Sequence, residues 1–98
     1  MEKNMEEFTL EDLRGIWLGE EFNLIVGCFD DGNYGNLVNK VEERIVETRH
    51  LNLDSISAQG TRILNFGDEF SIEIWQWNKP DIIIRIDNSN YNLTYRGY

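Results

Sequence analysis

A chain of 98 residues, 41% of them hydrophobic and with three tryptophans, four tyrosines and five phenylalanines, makes one small globular domain over residues 1–98 and leaves little room for a deep cavity. Eighteen acidic against nine basic residues give a net charge of −9, which excludes a nucleic-acid binder built on clustered Lys and Arg and disfavours an anionic membrane surface. No apolar run approaches the roughly 20 residues that cross a bilayer. The opening Met1-Glu-Lys-Asn-Met-Glu-Glu7 lacks the apolar stretch of a secretory signal. A cytoplasmic chain is expected, although one trimmed of a leader reads the same.

Residues 1–7 are expected to be a disordered tail. Residues 8–14, Phe-Thr-Leu-Glu-Asp-Leu-Arg, predict a short helical turn. Thr9 caps it, with Asp12 three residues on in place of the usual Glu. Phe8 and Leu13 pack it against the domain, and Gly15 ends it. A long strand is expected next, over 17–28, with Phe22, Leu24, Val26 and Cys28 on one buried face. Cys28 is the only cysteine, so it forms no internal disulfide and reads as a buried, inert thiol. Asp30-Asp-Gly-Asn33 signals a hairpin. Counted from Asp31 as a calcium loop, it has Asn36 where the essential glycine belongs.

Residues 38–50 carry two patterns. Asn39-Lys-Val-Glu42 resembles a capping box, and Val38, Val41, Ile45 and Thr48 fit a helical stripe. Ile45-Val46, Thr48 and the Leu51/Leu53 pair suit strands. Strands are favoured because the neighbouring segments form a meander, with a helix left open. The last forty residues are clearer: strands over 61–66, 70–77, 82–86 and 91–95, joined by Gly67-Asp68, Asn78-Lys-Pro-Asp81 and Asp87-Asn-Ser-Asn90. Ile72/Ile74, Ile82/Ile84/Ile86 and Tyr91/Leu93/Tyr95 share one face; Glu73, Arg85, Asn92 and Thr94 share the other. Six to eight such strands expose two edges unless the sheet closes. The fold class is therefore all-β, an antiparallel meander curled into a small barrel, with a short N-terminal helical turn.

Two terminal motifs carry a family resemblance. Gly15-Ile16-Trp17 stands at the start of the first strand, just after a helical turn, and Asn92-Leu-Thr-Tyr-Arg-Gly-Tyr98 closes the last. The pairing resembles the lipocalin and fatty-acid-binding superfamily of up-and-down barrels. The resemblance implies that Gly15 and Trp17 open the barrel and that Arg96 packs over the Trp17 indole, a contact of about 0.5 to 2 kcal/mol joining the two ends of the chain. The chain is much shorter than a typical lipocalin and lacks its secretory leader, so a filled or shallow core is expected.

Other candidates are few. Trp75, Trp77 and Glu73 share the parity opposite Ile72/Ile74, so they line an exposed binding face unless a second layer covers them or the sheet closes the other way. His50 is the lone histidine, which leaves no metal site. The neighbours Glu20/Glu21 and Glu42/Glu43 point to opposite faces of a strand and make poor acid–base pairs. There is no phosphate loop, nucleophile elbow or Cys/His couple. The expectation is a non-enzymatic binding or interaction protein with a lipocalin-like sheet, without cofactor, its ligand not identified, using either a small pocket for an apolar ligand or the Trp-bearing face. The alternative is a small acidic inhibitor, of the immunity or counter-defence kind, acting on a basic protein partner. Edge-to-edge pairing makes a homodimer a further expectation.

Overall fold

Turn chemistry sets where the strands stop. Asp87 and Asn88 adopt φ of 51° and 68°, the left-handed pair that a two-residue hairpin link between Ile86 and Ser89 requires. Asn39 uses its side-chain oxygen to accept from the N–H groups of Val41 and Glu42, at 3.1 and 3.0 Å, and Glu43 at φ 56° then reverses the chain. The structure is a computed structural model that describes residues 7–30, 32–68 and 70–97. All but Glu7 of the expected N-terminal tail lies outside the described residues.

A helical turn, α1 (Leu10–Leu13), leads into β1 (Gly15–Leu18), β2 (Phe22–Phe29), β3 (Gly32–Asn39), β4 (Arg44–Thr48), β5 (Leu51–Leu53), β6 (Arg62–Phe66), β7 (Phe70–Asn78), β8 (Asp81–Ile86) and β9 (Ser89–Gly97). All pair antiparallel in the order β4-β3-β2-β1-β9-β8-β7-β6-β5. The first strand thus lies beside the last. Eight antiparallel steps separate β4 from β5, so these two run in the same direction. Only residues 49 and 50 join them, too few for a crossover between parallel neighbours. They therefore act as one bent strand that pairs first with β3 and then with β6. The bend brings β3 against β5 and makes the sheet a nearly closed barrel, compatible with a lipocalin-like one.

Alternation fills the interior. Ile72, Ile74, Ile82, Ile84, Ile86 and Leu93 are buried in one core with Trp17, Leu24, Val26, Leu37, Leu64 and Phe66, while Tyr91 and Tyr95 pack against it. Gly35 faces the same interior. A Cβ there would lie 2.6 Å from Leu51 Cδ1 and 3.1 Å from Phe66 Cε2, so glycine is what lets β3 approach β5 this closely.

Several expectations are corrected. The long strand over 17–28 is a hairpin that breaks at Gly19, where a side chain would strike Leu93 and the Asn92 carbonyl, and Leu18 turns outward. Residues 38–50 follow the favoured strand reading, and the helix left open is not seen: its stripe has Val41 and Ile45 at 70% and 64% exposed, whereas strand pairing turns Val46 inward against Leu37. Cys28 is exposed, because β2 and β3 run past the barrel rim as a hairpin and carry it beyond the core. The helical turn does form as the pattern predicts. Asp12 accepts from the Thr9 N–H at 2.8 Å, and Phe8 and Leu13 are buried.

Candidate functional site

The two ends of the barrel differ. One is stoppered by the N-terminal turn. Phe8 stacks on Trp77, with centroids 6.2 Å apart, and the Arg62 guanidinium lies 5.0 Å from the Phe8 ring centre. Arg62 is itself buried; it donates to the Phe8 carbonyl at 2.9 Å and to the Asp54 carbonyl, so it clamps the stopper to the β5–β6 side. The Leu13 carbonyl, free at the helix end, accepts from Trp17 Nε1 at 2.8 Å.

Among the described residues, none covers the opposite end in this way. Here β1, β3, β6 and β8 finish and β2, β4, β7 and β9 begin. Between the two halves of the barrel lies a hollow of about 270 Å³. Phe22, Leu37, Val46, Phe70, Ile86 and Tyr91 form its apolar wall. Phe22 meets Tyr91 edge-on at 4.7 Å. Glu21, Glu42, Asp87 and Arg44 stand among the polar groups at its rim, with Arg44 Nη1 3.4 Å from the Glu42 carboxylate. A wider groove of about 710 Å³ runs outside the barrel between residues 18–22 and β9, but Glu20, Lys40, Asn90, Asn92, Thr94 and Arg96 make it chiefly polar and open. The mouth hollow combines concavity, an apolar wall and a few convergent polar groups, the usual make-up of a small-molecule site.

The residues singled out from sequence fall in three places. Gly15 and Trp17 do open the first strand beside the last. The aromatic that packs on Trp17 is Tyr95, edge-on at 5.0 Å, and Lys79 Nζ lies 4.0 Å from the Tyr95 ring centre. Arg96 does not cover the indole: the register slips between Ile16 and Trp17, so Tyr95 takes the place opposite Trp17 and Arg96 projects into the outer groove. Gly15 is required at φ 124°, with the Tyr95 ring where its side chain would be.

The tryptophan face is corrected too. The register between β7 and β8 shifts between Ile74 and Gln76, so Trp75 is an extra residue and Trp77 swings inward to 4% exposure beside Ile74. Its Nε1 has no partner there, a cost of about 1–3 kcal/mol. Burying an indole of some 200 Å² returns about 5 kcal/mol, so inward burial wins. Trp75 and Glu73 remain on the outer face, where Trp75 Nε1 donates to Glu73 at 2.8 Å and the Arg85 guanidinium lies 5.0 Å from the indole centre. That indole is engaged by its own chain.

The sequence does not single out Phe70; it marks Phe22 and Tyr91 as inward-facing strand residues, Glu21 and Glu42 as poor acid–base partners and Asp87 as a turn residue, none of them as part of a site. Their signal was present: each wall aromatic has inward parity and lies at or near a strand end on the unstoppered side. Knowing which end is open requires the position of Phe8. Among the described residues, no group of three or more His, Cys, Asp or Glu side chains is placed to hold a metal ion, and no helix is long and apolar enough to cross a membrane. Neither family models, curated proteins nor solved structures yield a match to this chain.

Proposed function

We propose that the protein is a non-enzymatic binding module that takes a small apolar ligand at the open mouth of its barrel. The observation that carries this is the hollow walled by Phe22, Leu37, Val46, Phe70, Ile86 and Tyr91, at the one end that the N-terminal turn leaves uncovered. The resemblance of Gly15-x-Trp17 to the lipocalin and fatty-acid-binding superfamily supports the same reading. A ligand bound only by the folded state raises its stability by RT ln(1 + [L]/Kd). Small aromatic and aliphatic compounds are expected to raise the melting temperature of the native chain, and Val46→Trp, which fills the hollow, is expected to abolish that rise while the barrel stays folded. If no compound stabilises the chain, or if stabilisation survives Val46→Trp, the reading fails.

A second reading draws on the β3–β4 hairpin, whose Val41 and Glu42 also border the hollow. Val41 and Ile45 are the most exposed large hydrophobic residues among those described, and Glu42, Glu43 and Glu47 stand beside them on the β3–β4 hairpin. Apolar anchors among carboxylates suit a basic protein partner, as an acidic inhibitor would need. Binding to such a partner would weaken with rising salt and be lost in Val41→Glu/Ile45→Glu; a salt-independent interaction would count against it.

A further inference from the structure

We propose that the mouth hollow selects an organic cation: a ligand with an aromatic or aliphatic body and one ammonium-type group. This rests on the small-ligand reading above and specifies its chemistry. The wall sets the body. An apolar cavity of roughly 150 Å³ holds a benzene ring, so about 270 Å³ accommodates a ring with a short side arm.

The rim sets the charge. Among the described residues that line it, Glu21, Glu42 and Asp87 place three carboxylates around the opening, against the single guanidinium of Arg44. Arg44 is already turned to Glu42, at 3.4 Å, so the carboxylates at the hollow outnumber the cations that line it; Lys40 and Arg96 lie with Glu21 along the adjoining outer groove. Glu21 and Asp87 come from neighbouring connections on the same rim, Glu21 from the β1–β2 corner and Asp87 from the β8–β9 turn, with the paired β1 and β9 between them. The rings of Phe22, Phe70 and Tyr91 supply the apolar wall, and the rim supplies the sign. The whole chain, at −9, reinforces it at long range. A carboxylate ligand of the fatty-acid type meets this opening with the wrong charge.

The test compares three probes of one shape by NMR titration of the full chain: 2-phenylethylammonium, neutral 2-phenylethanol and anionic 3-phenylpropionate. The ammonium probe is expected to bind about tenfold tighter than the alcohol, which is the size of one charge contact, and the carboxylate weakest. The preference is expected to shrink as salt rises while alcohol binding stays constant. Glu21→Gln/Asp87→Asn is expected to bring the ammonium probe down to the affinity of the alcohol; unchanged alcohol binding by that variant certifies that the hollow is intact. Equal binding of alcohol and ammonium, or tightest binding of the carboxylate, overturns the cation preference and leaves the apolar site standing. No binding by any probe overturns both.

Discussion

Closure of the barrel depends on Gly35 of β3 meeting Leu51 of β5, and a double-mutant cycle can measure that contact. A Cβ at position 35 would stand 2.6 and 3.0 Å from the two Leu51 methyl groups and 3.1 Å from Phe66 Cε2. Carbon pairs prefer about 3.5–4.0 Å, so the nearest of these is about 1 Å too close. Leu51 is 3% exposed, so its methyl groups sit within the core rather than in solvent. Overpacking of this kind costs about 1–3 kcal/mol. Alanine recovers roughly 0.5–1 kcal/mol of the entropy that glycine loses in a strand. Gly35→Ala should therefore destabilise by about 0.5–2 kcal/mol. Leu51→Ala alone should cost about 2–5 kcal/mol, which a domain with a stability of about 5–15 kcal/mol survives. In the Leu51→Ala background both methyl contacts are gone, and Gly35→Ala should be neutral or stabilising. The coupling should reach about 1–3 kcal/mol, read from urea unfolding by tryptophan fluorescence with an unchanged m-value. If Gly35→Ala costs the same in both backgrounds, β3 and β5 do not pack together and the closure argued here is wrong.

Three further outcomes follow from the same geometry. Arg62→Met removes the donor from two carbonyls and should cost about 1.5–3 kcal/mol, with amide exchange rising first over residues 9–14; a uniform rise across the barrel would show that Arg62 does not hold the stopper. Of the three tryptophans only Trp75 should be open to acrylamide quenching, so Trp75→Phe should remove the quenchable emission and Trp77→Phe should not; Trp77→Ala should cost about 3–5 kcal/mol. Gly15→Ala should destabilise by more than about 1 kcal/mol, because φ is 124° and the Tyr95 ring occupies the space, while Gly27→Ala, with nothing within 4 Å of the new atom, should be neutral or gain up to about 1 kcal/mol; equal effects would contradict the first-strand geometry.

What the sequence determined by itself is what neighbours in the chain decide. Strand period and turn residues act over a few positions, so the meander from Arg62 to Gly97, the inward Ile72/Ile74, Ile82/Ile84/Ile86 and Tyr91/Leu93/Tyr95 sets, and the helical turn at Thr9–Leu13 were all legible. Local signals also misled. Asn39 caps a tight turn through the same bonds that start a helix, and Val41 and Ile45 fell on a helical stripe that no partner buries. Only tertiary structure decided the rest. Register against a neighbouring strand is a long-range property, and one shifted residue moves every later side chain to the other face. That is why Trp77 left the face of Trp75, and why Tyr95 rather than Arg96 met Trp17. The bend that makes β4 and β5 one closing strand, and the placing of Phe8 beneath one end so that Phe22, Phe70 and Tyr91 wall an open hollow at the other, depend on contacts between segments far apart in the chain. No window of sequence contains both partners of such a contact.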